Sequence, residues 1–190
     1  MSNPIIEQIR TNALVARTIH RNRLKKARMY SGIISALTVL VPIMFLAAQY
    51  WSKGTKGESL VIGAASIGSA LLLCLSVVGL IMRIDLKILN HSIGINNNIL
   101  VASEALKLEV ETDDIRLNWF YRYVAEIDMN DANVLADASS TEKQDAYREA
   151  LKESHPGDTQ VVCPICRASP FQYMKGTCQT CGNTPTEEDF

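Results

Sequence analysis

The sequence predicts an all-α membrane protein that ends in a small cysteine module. Three observations carry this fold class. Residues 31–50, SGIISALTVLVPIMFLAAQY, and residues 59–82, SLVIGAASIGSALLLCLSVVGLIM, contain no charged side chain. Each run has about twenty residues or more, enough for a helix to cross the roughly 30 Å hydrocarbon core of a bilayer. Only WSKGTKGE, a polar turn with two glycines, lies between them, so the runs read as one transmembrane hairpin. A buried hairpin of a soluble protein is the competing reading. The third observation is that four of the five cysteines fall into two CxxC pairs near the end of the chain.

The net charge of −1 conceals a strong asymmetry. Residues 1–30 carry seven Lys or Arg against a single acid, Glu7, whereas residues 104–153 carry thirteen acids and six bases. Basic residues next to a span mark its cytoplasmic side. Arg21 to Arg28 precede the first span and Arg83 and Lys87 follow the second, against Lys53 and Lys56 in the turn. The predicted topology therefore has both termini cytoplasmic and the short turn outside. Tyr30, Tyr50 and Trp51 stand where interfacial aromatics anchor a span. A cleavable signal peptide is not expected, because the first apolar run is long and begins about thirty residues in.

Taken in order, residues 1–30 form an N-terminal basic helix, starting near Ser2, Asn3 and Pro4. Ile6, Ile9, Ala13, Ala16 and Leu24 give it a partial apolar stripe. Three uses of this helix stand: an anchor packed on the cytoplasmic helices, an interfacial helix on anionic headgroups, or a nucleic-acid patch. The last is not favoured, since aromatic residues are not interleaved with the bases.

Residues 31–82 form the hairpin. In its first span Ser31, Ser35, Thr38, Pro42 and Gln49 share one face with Phe45. Pro42 lacks a backbone donor and is expected to kink the helix unless its neighbours accommodate it. In the second span Ala65, Ser69, Ser76 and Gly79 share a stripe with Ile62 and Leu72, and Ala64 with Gly68 forms a small-xxx-small pair. Such faces serve either as helix-packing surfaces or as the wet lining of a pore in an oligomer. The absence of charge inside either span argues against an ion site or proton relay. Cys74 reads as a small apolar filler.

Residues 83–153 form a cytoplasmic helical region. A long helix is predicted from Arg83 to Val110, with one seam at Leu86, Leu89, Ile93 and Leu100 and a second at Ile84, Ile88 and Ile95. Gly94 and Asn96, Asn97 and Asn98 are poor helix formers, so a bend or break is expected there. His91 reads as a solvated or interface residue, with no His, Cys or acid at metal spacing. Residues 113–128 read as an amphipathic helix started by Asp113 and Asp114, with Ile115, Trp119, Tyr123 and Ile127 on one face and Phe120 and Val124 widening it. This face is either core or an aromatic groove for a partner. Residues 129–140 look like a linker. Residues 141–153 form a short helix capped by Thr141, with Ala146, Tyr147, Ala150 and Leu151 buried. SHPGD, residues 154–158, then marks a domain boundary.

Residues 159–190 hold the module. Cys163 and Cys166 form one CxxC, and Cys178 and Cys181 form another after an eleven-residue gap. Two such pairs suit tetrahedral Zn²⁺, each turn presenting two thiolates to one point while backbone N–H groups face the sulfurs. Gly182 lets the backbone complete the second turn. The expected form is a zinc-ribbon-like knuckle with Phe171 and Tyr173 on one arm of a hairpin. Disulfides and an iron site are the alternatives, and the cytoplasmic placement disfavours disulfides. With Cys at all four ligand positions no site is left for water, so the Zn²⁺ is structural, and the module needs it to fold. Arg167 and Lys175 against Glu187, Glu188 and Asp189 offer little for nucleic acid.

This order of parts resembles the SLATT families of bacterial two-transmembrane proteins. The matching features are the basic N-terminal helix, the hairpin at Ser31–Met82 and the helical extension with its aromatic turn at Trp119–Tyr123. The Cys163/Cys166 and Cys178/Cys181 tail resembles the small group described from mobile elements by CxxC, an eleven-residue gap, and CxxC. The resemblance implies an oligomeric effector of anti-phage or conflict systems that breaches the inner membrane when another protein or a small ligand activates it. A membrane-anchored adaptor, docking a partner through its cytoplasmic helices and zinc module, is the alternative. An enzyme is not expected: there is no Ser/His/Asp or Cys/His constellation, no phosphate-cradling glycine loop and no convincing carboxylate pair.

Overall fold

A computed structural model describes residues 3–54, 56–108 and 114–185. Among these, the chain forms helices α1 (Pro4–Ser52), α2 (Glu58–Ile81), α3 (Ile84–Leu108), α4 (Asp114–Val134) and α5 (Ser140–Ser154). The described residues contain no strand; the hairpin expected in the cysteine module is reduced to one antiparallel bridge between Lys175 and Asn183. The chain divides into two compact units, Met1–Arg23 with Asn90–Phe190, and Leu24–Leu89.

The first unit is a helical body carrying the module. Its core joins Ile6 and Ala13 of α1, Val101, Ala105 and Leu108 of α3, and Phe120, Val124 and Ile127 of α4. Phe120 and Ala105 are wholly buried, and burying a large apolar side chain contributes about 1.5–3 kcal/mol. The face of α4 is therefore offset from the predicted one: Phe120, Val124 and Ile127 form the core, while Ile115 is 82% and Trp119 54% exposed. On α3 the seam differs too. Ile93 and Leu100 are exposed, and the inward positions are His91, Gly94, Asn98, Val101, Ala105 and Leu108.

The expected break at Gly94–Asn98 does not occur, and α3 runs through it. Asn98 is buried and donates from Nδ2 to the Gly94 carbonyl at 2.9 Å and to Asp131 Oδ2 at 2.7 Å. Side-chain bonds satisfied in the interior, with the packing of the inward face, override a propensity disadvantage of about 1 kcal/mol at Gly94 and several tenths at each asparagine. The same anchor corrects the expected linker at residues 129–140. Asp131 is held by α1 and α3, and α4 continues to Val134. The expected end of α3 at Val110 and the start of α4 at Asp113 lie outside the described residues.

Helix α5 is capped by Ser139, not Thr141: the Glu142 N–H donates to Ser139 Oγ at 3.2 Å. Its buried face is Ala146, Ala150 and Leu151, as expected, with Tyr147 half-buried. Arg23 ties α1 to this region. Its Nε and Nη2 donate to the two oxygens of Glu142 at 3.0 and 2.9 Å, and Nη1 donates to Asp137 at 2.6 Å. The bidentate bond to Glu142 raises the Arg23 guanidinium above its ordinary range, and Arg23 lowers the Asp137 carboxyl.

The second unit pairs residues 24–52 of α1 with α2. Pro42 lies inside an unbroken α1. The ring of Phe45 sits where a Cβ on Gly68 would fall 2.4 Å away, and Ile34 lies beside Gly79. Between the helices the Gly54 N–H donates to Glu58 Oε2 at 2.9 Å, closing the polar turn. Arg83, in the left-handed region at φ 49°, separates α2 from α3. Both α1 and α2 contain segments long and apolar enough to cross a membrane.

Candidate metal centre

The site begins with two copies of one local turn. In the first, the Arg167 N–H donates to the Cys163 carbonyl at 2.9 Å and the Cys163 N–H to the Ala168 carbonyl at 3.0 Å. In the second, Gly182 donates to Cys178 at 2.8 Å and Cys178 to Asn183 at 3.2 Å. Each CxxC is closed by a residue at positive φ, Arg167 at 59° and Gly182 at 73°. Gly182 was expected to complete its turn; Arg167 plays the same part without the residue type that would announce it.

The two turns bring Cys163, Cys166, Cys178 and Cys181 together. All four are buried, and their sulfurs lie within 4.8 Å of one another. Cys166 Sγ and Cys181 Sγ are 3.3 Å apart. A tetrahedral ion with sulfurs at about 2.3 Å sets its ligands about 3.8 Å apart, so the residues fit a four-sulfur metal site. All four cysteines are free, as metal ligands must be.

The electrostatics of the four thiols are divided. Burial pushes Cys178 up, but the backbone N–H groups of Cys181 and Thr180 and the neighbouring thiols more than offset it, leaving it at about 7. Burial raises Cys166 and, further, Cys181. As thiolates the four would crowd negative charge at one point, which a cation would compensate, and metal binding would release protons. Burial and the adjacent cysteines also push the Tyr147 phenol up to about 12.

The module is seated on α5. Leu151 packs against the cysteine cluster with Tyr147 beside it. Arg148 Nη1 donates to the Cys181 carbonyl, and its guanidinium lies 3.9 Å from the centre of the Tyr173 ring. Gln144 Nε2 donates to the Cys178 and Gln179 carbonyls at 3.3 Å each. Lys152 lies 5.7 Å from the Phe171 ring. Asn183 closes the module from inside: Oδ1 accepts from the Met174 N–H at 2.9 Å, and Nδ2 donates to the Ser169 and Gln172 carbonyls at 3.0 and 3.2 Å. Sequence reasoning passed over Asn183, whose only signal was a polar residue directly after the second turn.

The other predicted face lies in the second unit. Ala65 is buried; Ser31, Gln49, Ser76 and Gly79 are half-buried; Ser35, Thr38, Pro42 and Ser69 are exposed. The Thr38 hydroxyl donates to the Ile34 carbonyl at 2.7 Å and Ser69 to Ala65 at 2.8 Å. A second polar centre was missed altogether. His91, expected as a solvated or interface residue, is buried at the interface of α3 with α1, and its Nδ1 lies 2.9 Å from Nδ1 of His20, whose Nε2 is 2.9 Å from Asp131.

Fold and site together define an all-helical protein with two long apolar helices and a C-terminal four-cysteine cluster of metal-binding type. The family described as "Mobilome CxxCx(11)CxxC protein" matches residues 4–184, and the chain belongs to that family. No curated protein and no solved structure matches it.

Proposed function

We propose that this chain is a two-span effector of the bacterial inner membrane, oligomeric and pore-forming or membrane-perturbing, acting in an anti-phage or conflict system. The SLATT resemblance supplies the biological setting. The observation that carries the membrane part is the exposure of the apolar helices. The most apolar windows of the two candidate spans are 0% and 6% buried. Leu80 is 78% and Leu60 76% exposed. A core helix of a soluble protein turns such side chains inward; two helices that turn them outward along this length suit lipid. In this reading both termini are cytoplasmic, the module holds one structural Zn²⁺ on Cys163, Cys166, Cys178 and Cys181, and a partner protein or small molecule of the same system triggers opening.

Reconstitution tests the effector. Incorporated into dye-loaded liposomes at rising protein-to-lipid ratio, the chain should oligomerise and release dye. Ser35→Leu with Thr38→Leu should reduce release if that face is wet. Liposomes that stay sealed at every ratio overturn pore formation and favour the adaptor reading. One observation supports that alternative: Trp119 and Tyr123 stack with centroids 5.5 Å apart beside exposed Ile115, an aromatic surface suited to a partner. Exchanging the hairpin for an unrelated two-span anchor separates the two, since an adaptor keeps its activity and an effector loses it.

A further inference from the structure

The helical body contains a chain of polar groups that the proposed effector activity does not use. It runs from Asn98 of α3 to Asp131 of α4, then to His20 of α1 and back to His91 of α3. His20 is 0% and His91 7% exposed. Its hydrogens can be counted. An ionised Asp131 only accepts, so Asn98 Nδ2 donates to Oδ2 and His20 Nε2 donates to Oδ1. Neutral His20 then has a bare Nδ1. The 2.9 Å separation from His91 Nδ1 holds one hydrogen, which His91 must supply. His91 Nε2 is left as the basic nitrogen of the chain.

We propose that Asp131, His20 and His91 form a proton-operated clasp that holds α1 to α3 and α4 and opens when both imidazoles are protonated. One proton fits. Added at His91 Nε2 it leaves every bond in place, and if it passes to His20 the shared hydrogen changes owner. A second proton does not fit, because two imidazolium N–H groups would then face each other across 2.9 Å. The ring of His20 is wholly buried and lies against Gly94 of α3, where even a Cβ would fall 2.5 Å from its Cε1 and Nε2, so relief of the clash would move α1 away from α3.

The charges around the pair set the direction of the pH response. His91 is faced by His20 and Arg23 of α1, by Asp137 after α4 and by Glu142 of α5. Asp128 of α4 stands near Asp131, and burial together with Asp131 raises its carboxyl. Burial, His20 and Arg23 lower the His91 imidazole below its ordinary value, outweighing Asp137 and Glu142. The unfolded chain thus takes up its proton at about pH 6.5 while the folded chain resists it. The stabilisation is complete above that pH and is lost as the pH falls from there through the lowered folded value.

Hydrogen exchange on the full chain in nanodiscs tests the clasp, with rates corrected for the intrinsic pH dependence of exchange. Between pH 7.5 and 5.5, protection of peptides carrying His20, His91 and Asp131 should fall by up to about tenfold, the limit set by an unfolded value of about 6.5, with peptides from residues 31–82 unchanged. His91→Gln keeps a donor for His20 and gains no proton, so its protection should stay flat across this range. A flat profile in the parent chain, or an undiminished response in His91→Gln, overturns the proposal. Should His91→Gln not fold, imidazole NMR of the parent chain decides. Titration of the two buried rings as a coupled pair, each following the other's protonation, supports the clasp; two independent titrations sink it.

Discussion

Arg167 and Gly182 occupy the same place in two copies of one turn, yet only one is the residue that such a turn favours. A side chain in the left-handed region costs roughly 1–2 kcal/mol. Gly182→Ala incurs that cost and also sets a methyl 2.7 Å from Gln144 Oε1, so it should loosen the module from α5 and speed metal loss to EDTA. Arg167→Gly removes the cost while adding freedom to the unfolded chain; it should leave the melting temperature unchanged or raise it slightly. Equal damage from both would show that the turns are not equivalent. Cys163→Ser or Cys178→Ser should abolish binding of about one Zn²⁺ per chain, measured by elemental analysis, and unfold the module. Metal content that survives either change removes the four-sulfur assignment. At this scale the sequence was informative where chemistry demands a residue type, as at the cysteines. It was silent where a backbone shape is adopted by an unexpected residue such as Arg167.

Among the elements, α3 shows most clearly why local reading went astray. Gly94 and three asparagines look like a helix break by propensity, which costs about 1 kcal/mol for Gly relative to Ala. In the fold Gly94 is the floor on which His20 rests, and Asn98 is a tether to Asp131. The partners lie on α1 and α4, separated from α3 by long stretches of chain, so no spacing rule brings them together. The same long-range bonds drew the first part of the expected linker, residues 129–134, into the end of α4, leaving residues 135–139 as the connection to α5. Gly94→Ala poses two effects of opposite sign. The gain in helix propensity is about 1 kcal/mol, while forcing a methyl against a wholly buried ring costs typically 1–3 kcal/mol. The balance predicts net destabilisation, read as a lowered midpoint in thermal or denaturant unfolding. A stabilised variant would mean that His20 is free to move.

For the whole molecule, the apolar runs and the cysteine pairs were legible because each is a continuous run or a fixed local spacing, read without knowing which helices meet. The three-helix core and the seat of the module on α5 were less so, because they depend on which helices meet. Topology belongs to this scale. In a Cys74→Ser background, Lys53→Cys should react with a membrane-impermeant maleimide in intact cells, whereas Ser140→Cys should react only after lysis. The reverse pattern would invert the orientation expected from the basic residues flanking the spans.

The duplicated turn of the metal centre has a consequence for how the site is assembled. The backbone bonds of the Cys163 turn involve residues 163–168 alone and need nothing from the second copy. Each pair of thiols is thus set by its own local turn, and an ion bound there would join two ready-made pincers rather than order four separate ligands.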